Sequence, residues 1–118
     1  MDKRLSELVK DIIDKSEKSN VCICGDNRSG KTTMLKEICK LLDNAIYVDS
    51  EDLVNEIDIL GSVVLYEKYA NYDFFIIDNI NILLPRKNLF NTIQDLNIQK
   101  IYSSPIKLKI PNTYNLQI

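Results

Sequence analysis

Val21-Cys22-Ile23-Cys24-Gly25-Asp26-Asn27-Arg28-Ser29-Gly30-Lys31-Thr32-Thr33-Met34-Leu35 reads as a short apolar strand, a polar turn and the opening of an amphipathic helix. Gly25 to Thr32 fits G-x-x-x-x-G-K-[ST] without a mismatch, and two of the chain's three glycines stand at the two required places. The residue types have a physical reason. A loop that wraps an anion with successive backbone N–H groups needs glycine for its conformations and for close approach. The helix that follows directs its positive dipole end at the same anion. Lys31 supplies a mobile cation to the outer phosphates, and the Thr32 hydroxyl is a ligand for Mg²⁺. The pattern therefore predicts a polyphosphate cradle made of Gly25, Asp26, Asn27, Arg28, Ser29, Gly30, Lys31, Thr32 and Thr33. Arg28 is read as facing solvent or a partner. A plain surface turn before a helix is the alternative, but it would require neither Lys31 nor Thr32.

Such a cradle needs a carboxylate at the end of a neighbouring strand to hold the metal's water shell. Phe74-Phe75-Ile76-Ile77-Asp78 is the most hydrophobic strand of the chain and ends in that acid, so the expected metal residues are Thr32 and Asp78. Asn79 follows, where many ATPases of this architecture carry a second acid. An amide accepts a hydrogen bond from water but does not take its proton at neutral pH. Binding without brisk hydrolysis is the expectation, with Lys31, Asp78 and Asn79 as the groups nearest the chemistry. Glu51, at the end of the second strand, is the other acid considered as a substitute base.

Outward from these segments the chain alternates. Leu5, Leu8, Val9, Ile12 and Ile13 form an apolar stripe on a helix over residues 2–18, and Ser19-Asn20 ends it. After the loop, Met34, Leu35, Ile38, Leu41 and Leu42 continue a helix to Asp43-Asn44. A strand over Ala45 to Val48 leads to an acidic helix opened by Asp49-Ser50. Residues 60–70 read as a further helical stretch, followed by the Phe74 strand, a helix near 88–96, a strand near 98–102 and an extended piece near 113–118. Alternating strands and helices predict a parallel sheet with helices on both faces and right-handed crossovers.

With 118 residues there is room for one domain and one hydrophobic core, 1–118. No apolar run is long enough to span a membrane and the N-terminus is polar, so a cytoplasmic address is expected. Cys22, Cys24 and Cys39, with no histidine and no CxxC pair, read as buried free thiols instead of a zinc site. Residues 1–84 carry ten basic and 16 acidic side chains, a balance of −6; residues 85–118 carry five basic and one acidic, a balance of +4. The five cations, Arg86, Lys87, Lys100, Lys107 and Lys109, are scattered and read as solvated surface, with docking of nucleic acid through 85–118 as the alternative.

From about residue 20 to 105 the chain resembles the AAA+ ATPases of the P-loop NTPase class, and among them the DnaA-type replication initiators and their small relatives. Gly25–Thr33, Ala45–Glu56, Tyr69–Ile80 and Gln99–Ser104 carry the resemblance. It implies a three-layer α/β fold with a five-stranded parallel sheet in the order 5-1-4-3-2, and ATP with Mg²⁺ as ligands. It also implies that Ser103 or Ser104 stands near the γ-phosphate. The family's second acid is replaced by Asn79. No arginine follows Ser104, so the chain reads as a core without arginine finger, helical lid or DNA-binding domain.

Three functions follow as expectations. The first is a nucleotide-dependent adaptor or regulator with a protein partner, attached to DNA replication. The second is an ATPase completed by a partner or by self-association. The third, a small-molecule kinase, needs several cations on its phosphates, and the chain has three arginines. No N-K-x-D segment supports a GTPase. The acidic pI of about 5.1 and the lack of a basic stripe weigh against direct DNA binding.

Overall fold

The computed structural model describes residues 3–26 and 30–118. Helix α1 (Lys3–Ser16) leads into β1 (Asn20–Cys24), α2 (Lys31–Leu41), β2 (Ala45–Asp49), α3 (Ser50–Leu60) and the single turn α4 (Val64–Glu67). A 3₁₀ turn at Tyr69–Asn71 precedes β3 (Phe74–Asp78), and a second at Ile80–Leu83 precedes α5 (Lys87–Asp95), β4 (Gln99–Ser104) and β5 (Thr113–Gln117).

The five strands form one sheet in the order β2-β3-β4-β1-β5. All four neighbouring pairs are parallel. This is the order expected from the resemblance, read from the other edge. Strands β1, β3 and β4 are central, which explains their apolar runs: a strand covered on both faces has no solvent side to alternate toward.

Two hydrophobic clusters lie on the two faces of the sheet. Val9 and Ile12 of α1 and Met34, Leu35 and Ile38 of α2 pack on Val21, Ile23, Ile76 and Ile101. On the other face, Leu53 of α3, Val64 and Leu65 of α4, and Ile93 of α5 pack on Cys22, Cys24, Phe75, Ile77 and Tyr102. Period-2 alternation along β1 and β3 thus divides their side chains between the two layers. The Tyr69 and Phe75 rings stack at 4.5 Å between centroids. The thiols of Cys22 and Cys24 are buried and free, as expected, and Cys39 is half-buried.

Two expectations are corrected. The stretch 60–70 is not one helix. Gly61, with φ of 86°, ends α3 by donating its N–H to Ile57 O at 2.7 Å, and only one α-helical turn follows before the 3₁₀ turn. A residue at that positive φ cannot continue a right-handed helix. Nor is Lys100 a solvated cation. It is 3% exposed, on central strand β4, and its ammonium donates to the carbonyl oxygens of Gln94, at 2.9 Å, and Leu96. These are orphan carbonyls at the end of α5, which a cation satisfies in both charge and hydrogen bonding. Burial pushes the Lys100 ammonium below the usual lysine range, and Asp95 opposes that shift.

Candidate nucleotide site

β1 stops at Gly25, whose N–H donates to Ser104 O at 3.1 Å, so the start of the loop is tied to the carboxyl end of β4. Gly30 re-enters regular structure with φ of 81° and ψ of 21°, immediately before α2. A Cβ built at Gly30 would meet nothing within 4 Å. The glycine is therefore required by its backbone conformation and not by crowding. The bond from Met34 N–H to Gly30 O, at 3.0 Å, closes the first turn of α2. The N–H groups of a helix's first turn are the usual opportunity for an anion.

Gly30, Lys31, Thr32, Thr33 and Asn79 line a cavity of about 300 Å³ at this helix start. A larger hollow of about 550 Å³ lies between Ile57 and the start of α5. Size does not select the site here, because the larger hollow lacks the convergent groups described next. Asn27, Arg28 and Ser29 lie outside the described residues.

Asp78, at the carboxyl end of β3, is 2% exposed. Its Oδ2 accepts from Thr32 Oγ1 at 2.6 Å and from Tyr47 Oη at 2.7 Å, and its Oδ1 accepts from Ser103 Oγ. Three hydroxyls from α2, β2 and β4 thus converge on one carboxylate. Burial first, then the hydrogen bond to Asp78, push the Tyr47 phenol above its ordinary range, so it stays a donor across neutral pH. Ser50 Oγ donates to Asp78 O at 2.7 Å, fixing the main chain as well.

Asn79 follows with φ of 57° and ψ of 52°. Asparagine is among the non-glycine residues that accept this region most readily. Its N–H donates to Ser103 Oγ at 2.9 Å, and its Nδ2 lies 3.2 Å from Asp49 Oδ2. Asp49 Oδ1 accepts from Glu51 N–H at 2.9 Å, capping α3. Asp49 is the register partner of Asp78 on the adjacent strand.

Thr32, Asp78 and Asn79 are therefore brought together, and Lys31 joins them at the cavity. Lys31 is 5% exposed and donates its ammonium to the carbonyl oxygens of Gly25 and, at 2.5 Å, Asp26. A phosphate would draw it off these carbonyls, since an anion adds full Coulomb attraction to the ammonium where a carbonyl offers only a dipole. Ser103, not Ser104, reaches Asp78; Ser104 Oγ instead accepts from Ile106 N–H at 3.2 Å. Glu51 is exposed on the first turn of α3, and its main chain is what Asp49 caps. Sequence reasoning did not single out Tyr47, Asp49 or Ser50. The signal was the acid closing β2 one residue after an apolar run, as Asp78 closes β3.

The donor set suits Mg²⁺, which takes hard oxygen ligands and keeps much of its shell for water and phosphate. With the Thr32 proton on Asp78, the Thr32 oxygen retains lone pairs for a cation. Among the described residues no group of three or more His, Cys, Asp or Glu side chains is placed to hold a metal. Among the described residues, no helix is long and apolar enough to cross a membrane.

No family model matches the chain, and no curated protein matches its sequence. Solved structures do resemble it. AMPPCP-bound DnaA from Aquifex aeolicus superposes with a TM-score of 0.58 at 23% identity, over 83% of this chain and 36% of that one. The replication initiator DnaA bound to AMPPCP and single-stranded DNA gives 0.67 at 20% identity, over 98% and 46%. Domain III of the Thermotoga maritima replication initiation protein DnaA gives 0.57 at 20% identity, over 88% and 52%. The chain spans between about a third and about half of these proteins' length. At this identity the likeness shows the fold alone: a parallel α/β sheet arranged as in these DnaA structures.

Proposed function

We propose that this protein binds ATP with Mg²⁺ on the loop Gly25–Thr33 and hydrolyses it slowly, acting as a nucleotide-dependent adaptor or regulator. The observation that carries this reading is the bond from Thr32 Oγ1 to Asp78 Oδ2 at 2.6 Å, between residues 46 positions apart at the mouth of a cavity opened by α2. Folding alone has no need of a threonine hydroxyl on a buried aspartate beside a helix start. The roles of metal ligand and holder of the metal's waters account for both residues.

Each group then has a task. The first turn of α2 supplies N–H donors to the β-phosphate end, and Lys31 exchanges its loop carbonyls for the outer phosphates. Thr32 and Asp78 would hold Mg²⁺, which when bound offsets the negative charge of the phosphates. Asn79, at the cavity wall, orients a water without deprotonating it. Ser103 reaches the site through Asp78 and the Asn79 N–H, and we assign it the polar role beside the γ-phosphate that the resemblance gives to Ser103 or Ser104.

Adenine specificity, a protein partner and a place in DNA replication belong to this proposal. The adenine and replication parts are supported by the nucleotide analogue in two of the similar DnaA structures and by the process that those proteins' names give. A cytoplasmic setting goes with them. Single-stranded DNA is bound in one similar structure, but burial of Lys100 removes one of the five cations that a contact through 85–118 would use. Titration of the purified protein with ATP, ADP and GTP, with and without Mg²⁺, tests the reading. Tighter binding of Mg–ATP, weakened by Lys31→Ala, is expected. Affinity indifferent to Lys31→Ala would overturn the site, and turnover of about 1–100 per second by the isolated chain would overturn slow hydrolysis.

A further inference from the structure

Asp49 and Asn79 form a carboxylate–amide pair across the ends of β2 and β3. We infer that Asp49 is a positioning residue that fixes which end of the Asn79 amide faces the nucleotide, an inference resting on the proposed function. The reasoning is one of donors and acceptors. An ionised carboxylate has no proton to give and only accepts. Asp49 uses Oδ1 for the N–H of Glu51, at 2.9 Å, and Oδ2 for the amide of Asn79, at 3.2 Å. Whatever faces Asp49 must therefore be the NH₂ of Asn79. Chemistry decides the assignment, which atom positions alone do not.

The consequence lies on the cavity side. Asn79 lines the cavity at the start of α2. With its NH₂ held by Asp49, Oδ1 is the end left for the cavity, where an acceptor suits the O–H of a water and repels phosphate oxygen. The main chain cannot absorb a change of orientation: Asn79 N–H is held on Ser103 Oγ at 2.9 Å, and Asp78 O on Ser50 Oγ at 2.7 Å. Asp49 also joins this orientation to the first turn of α3, because the same carboxylate caps that helix.

Asp49→Asn inverts the arrangement with little change in shape. Asparagine is as good a helix cap as aspartate. Its single side-chain oxygen stays with Glu51 N–H, and its NH₂ then faces Asn79, which must turn its own oxygen inward and its NH₂ to the cavity. The test follows the side-chain ¹⁵N–¹H₂ resonances of Asn79, assigned by their loss in Asn79→Asp, at saturating Mg–AMPPCP. In the unaltered protein these protons face Asp49, and the nucleotide should leave them nearly in place. In Asp49→Asn they should move on nucleotide addition by at least about threefold more. The exchanged pair Asp49→Asn with Asn79→Asp restores an acceptor to the cavity. It should give faster single-turnover hydrolysis than Asn79→Asp alone, which sets two carboxylates face to face.

The same Asn79 response in the unaltered protein and in Asp49→Asn, or an exchanged pair no better than the worse single variant, overturns the inference and leaves the proposed function standing. Absence of Mg–AMPPCP binding by the unaltered protein overturns both.

Discussion

Two charged side chains are buried on neighbouring strands, Asp78 at the carboxyl end of β3 and Lys100 near the amino end of β4. Their surroundings differ in kind. Lys100 is satisfied by two main-chain carbonyls four and six residues away, at the end of the helix that feeds its own strand. Asp78 is satisfied by three hydroxyls from residues 25 to 46 positions away, on three separate elements, next to a cavity. A local, main-chain solution is how a fold closes a helix end. A convergent, side-chain solution from distant segments is harder to account for by folding alone, since each hydroxyl would serve as well pointing elsewhere. Burial of charge by itself therefore does not mark a site; the origin of its partners does.

The largest expected effect separates the two charges by function. Asp78→Asn should lower Mg²⁺-dependent ATP affinity by about 100-fold, close to 3 kcal/mol, while Lys100→Met should leave that affinity within twofold; isothermal titration measures both. Equal losses would erase the contrast. Stability should then rank the other way. Lys100→Met strips the donor from two carbonyls but also removes a desolvated cation, for a net loss of about 2 kcal/mol in urea unfolding.

Smaller effects sharpen the Asp78 side. Tyr47→Phe deletes one of three donors to the carboxylate without altering the ring, and should cost about 1 kcal/mol of stability. It should also weaken binding of Mg–ATP more than of metal-free ATP. An equal effect on both would mean that Tyr47 supports only packing.

The smallest expected effect lies outside the comparison and calibrates it. Glu56 accepts from Lys68 Nζ at 2.8 Å and from Tyr69 Oη. These hydrogen bonds, Lys68 first, hold its carboxyl below the usual range. A depressed carboxylate pKa adds stability above the unfolded value, about 4.3, and loses it as pH falls through the folded value. Glu56→Gln should remove that part of the acid-side slope, lowering stability slightly at pH 7 and least at pH 3, as read from unfolding curves at pH 3 to 7.

How much of this was legible in the sequence depends on how far each signal reaches. The helix that opens at Lys31 and the strand ending in Asp78 are contiguous patterns, and both fall where the reading put them. Asp49 and Tyr47 went unselected because their meaning lies in register: β2 sits beside β3 with Asp49 opposite Asp78, a fact no local window holds. Ser103 and Ser104 were left as alternatives for the same reason, since only the pairing of β4 decides which hydroxyl meets Asp78. Lys100 was misread because a charged letter says nothing of the helix end that receives it. Gly61 was the one missed local cue, a positive-φ residue inside a stretch read as helical.

The sheet order carries a consequence for how the chain comes together. β1 is made before both of its neighbours, β4 and β5. Until residues 99–117 arrive, Val21–Cys24 has no partner on either edge, and the N–H of Gly25 has not met Ser104 O. Pairings across so much sequence form slowly. A nascent chain would thus carry an unpaired apolar strand until both neighbours are made, a stage exposed to aggregation unless the strand is shielded.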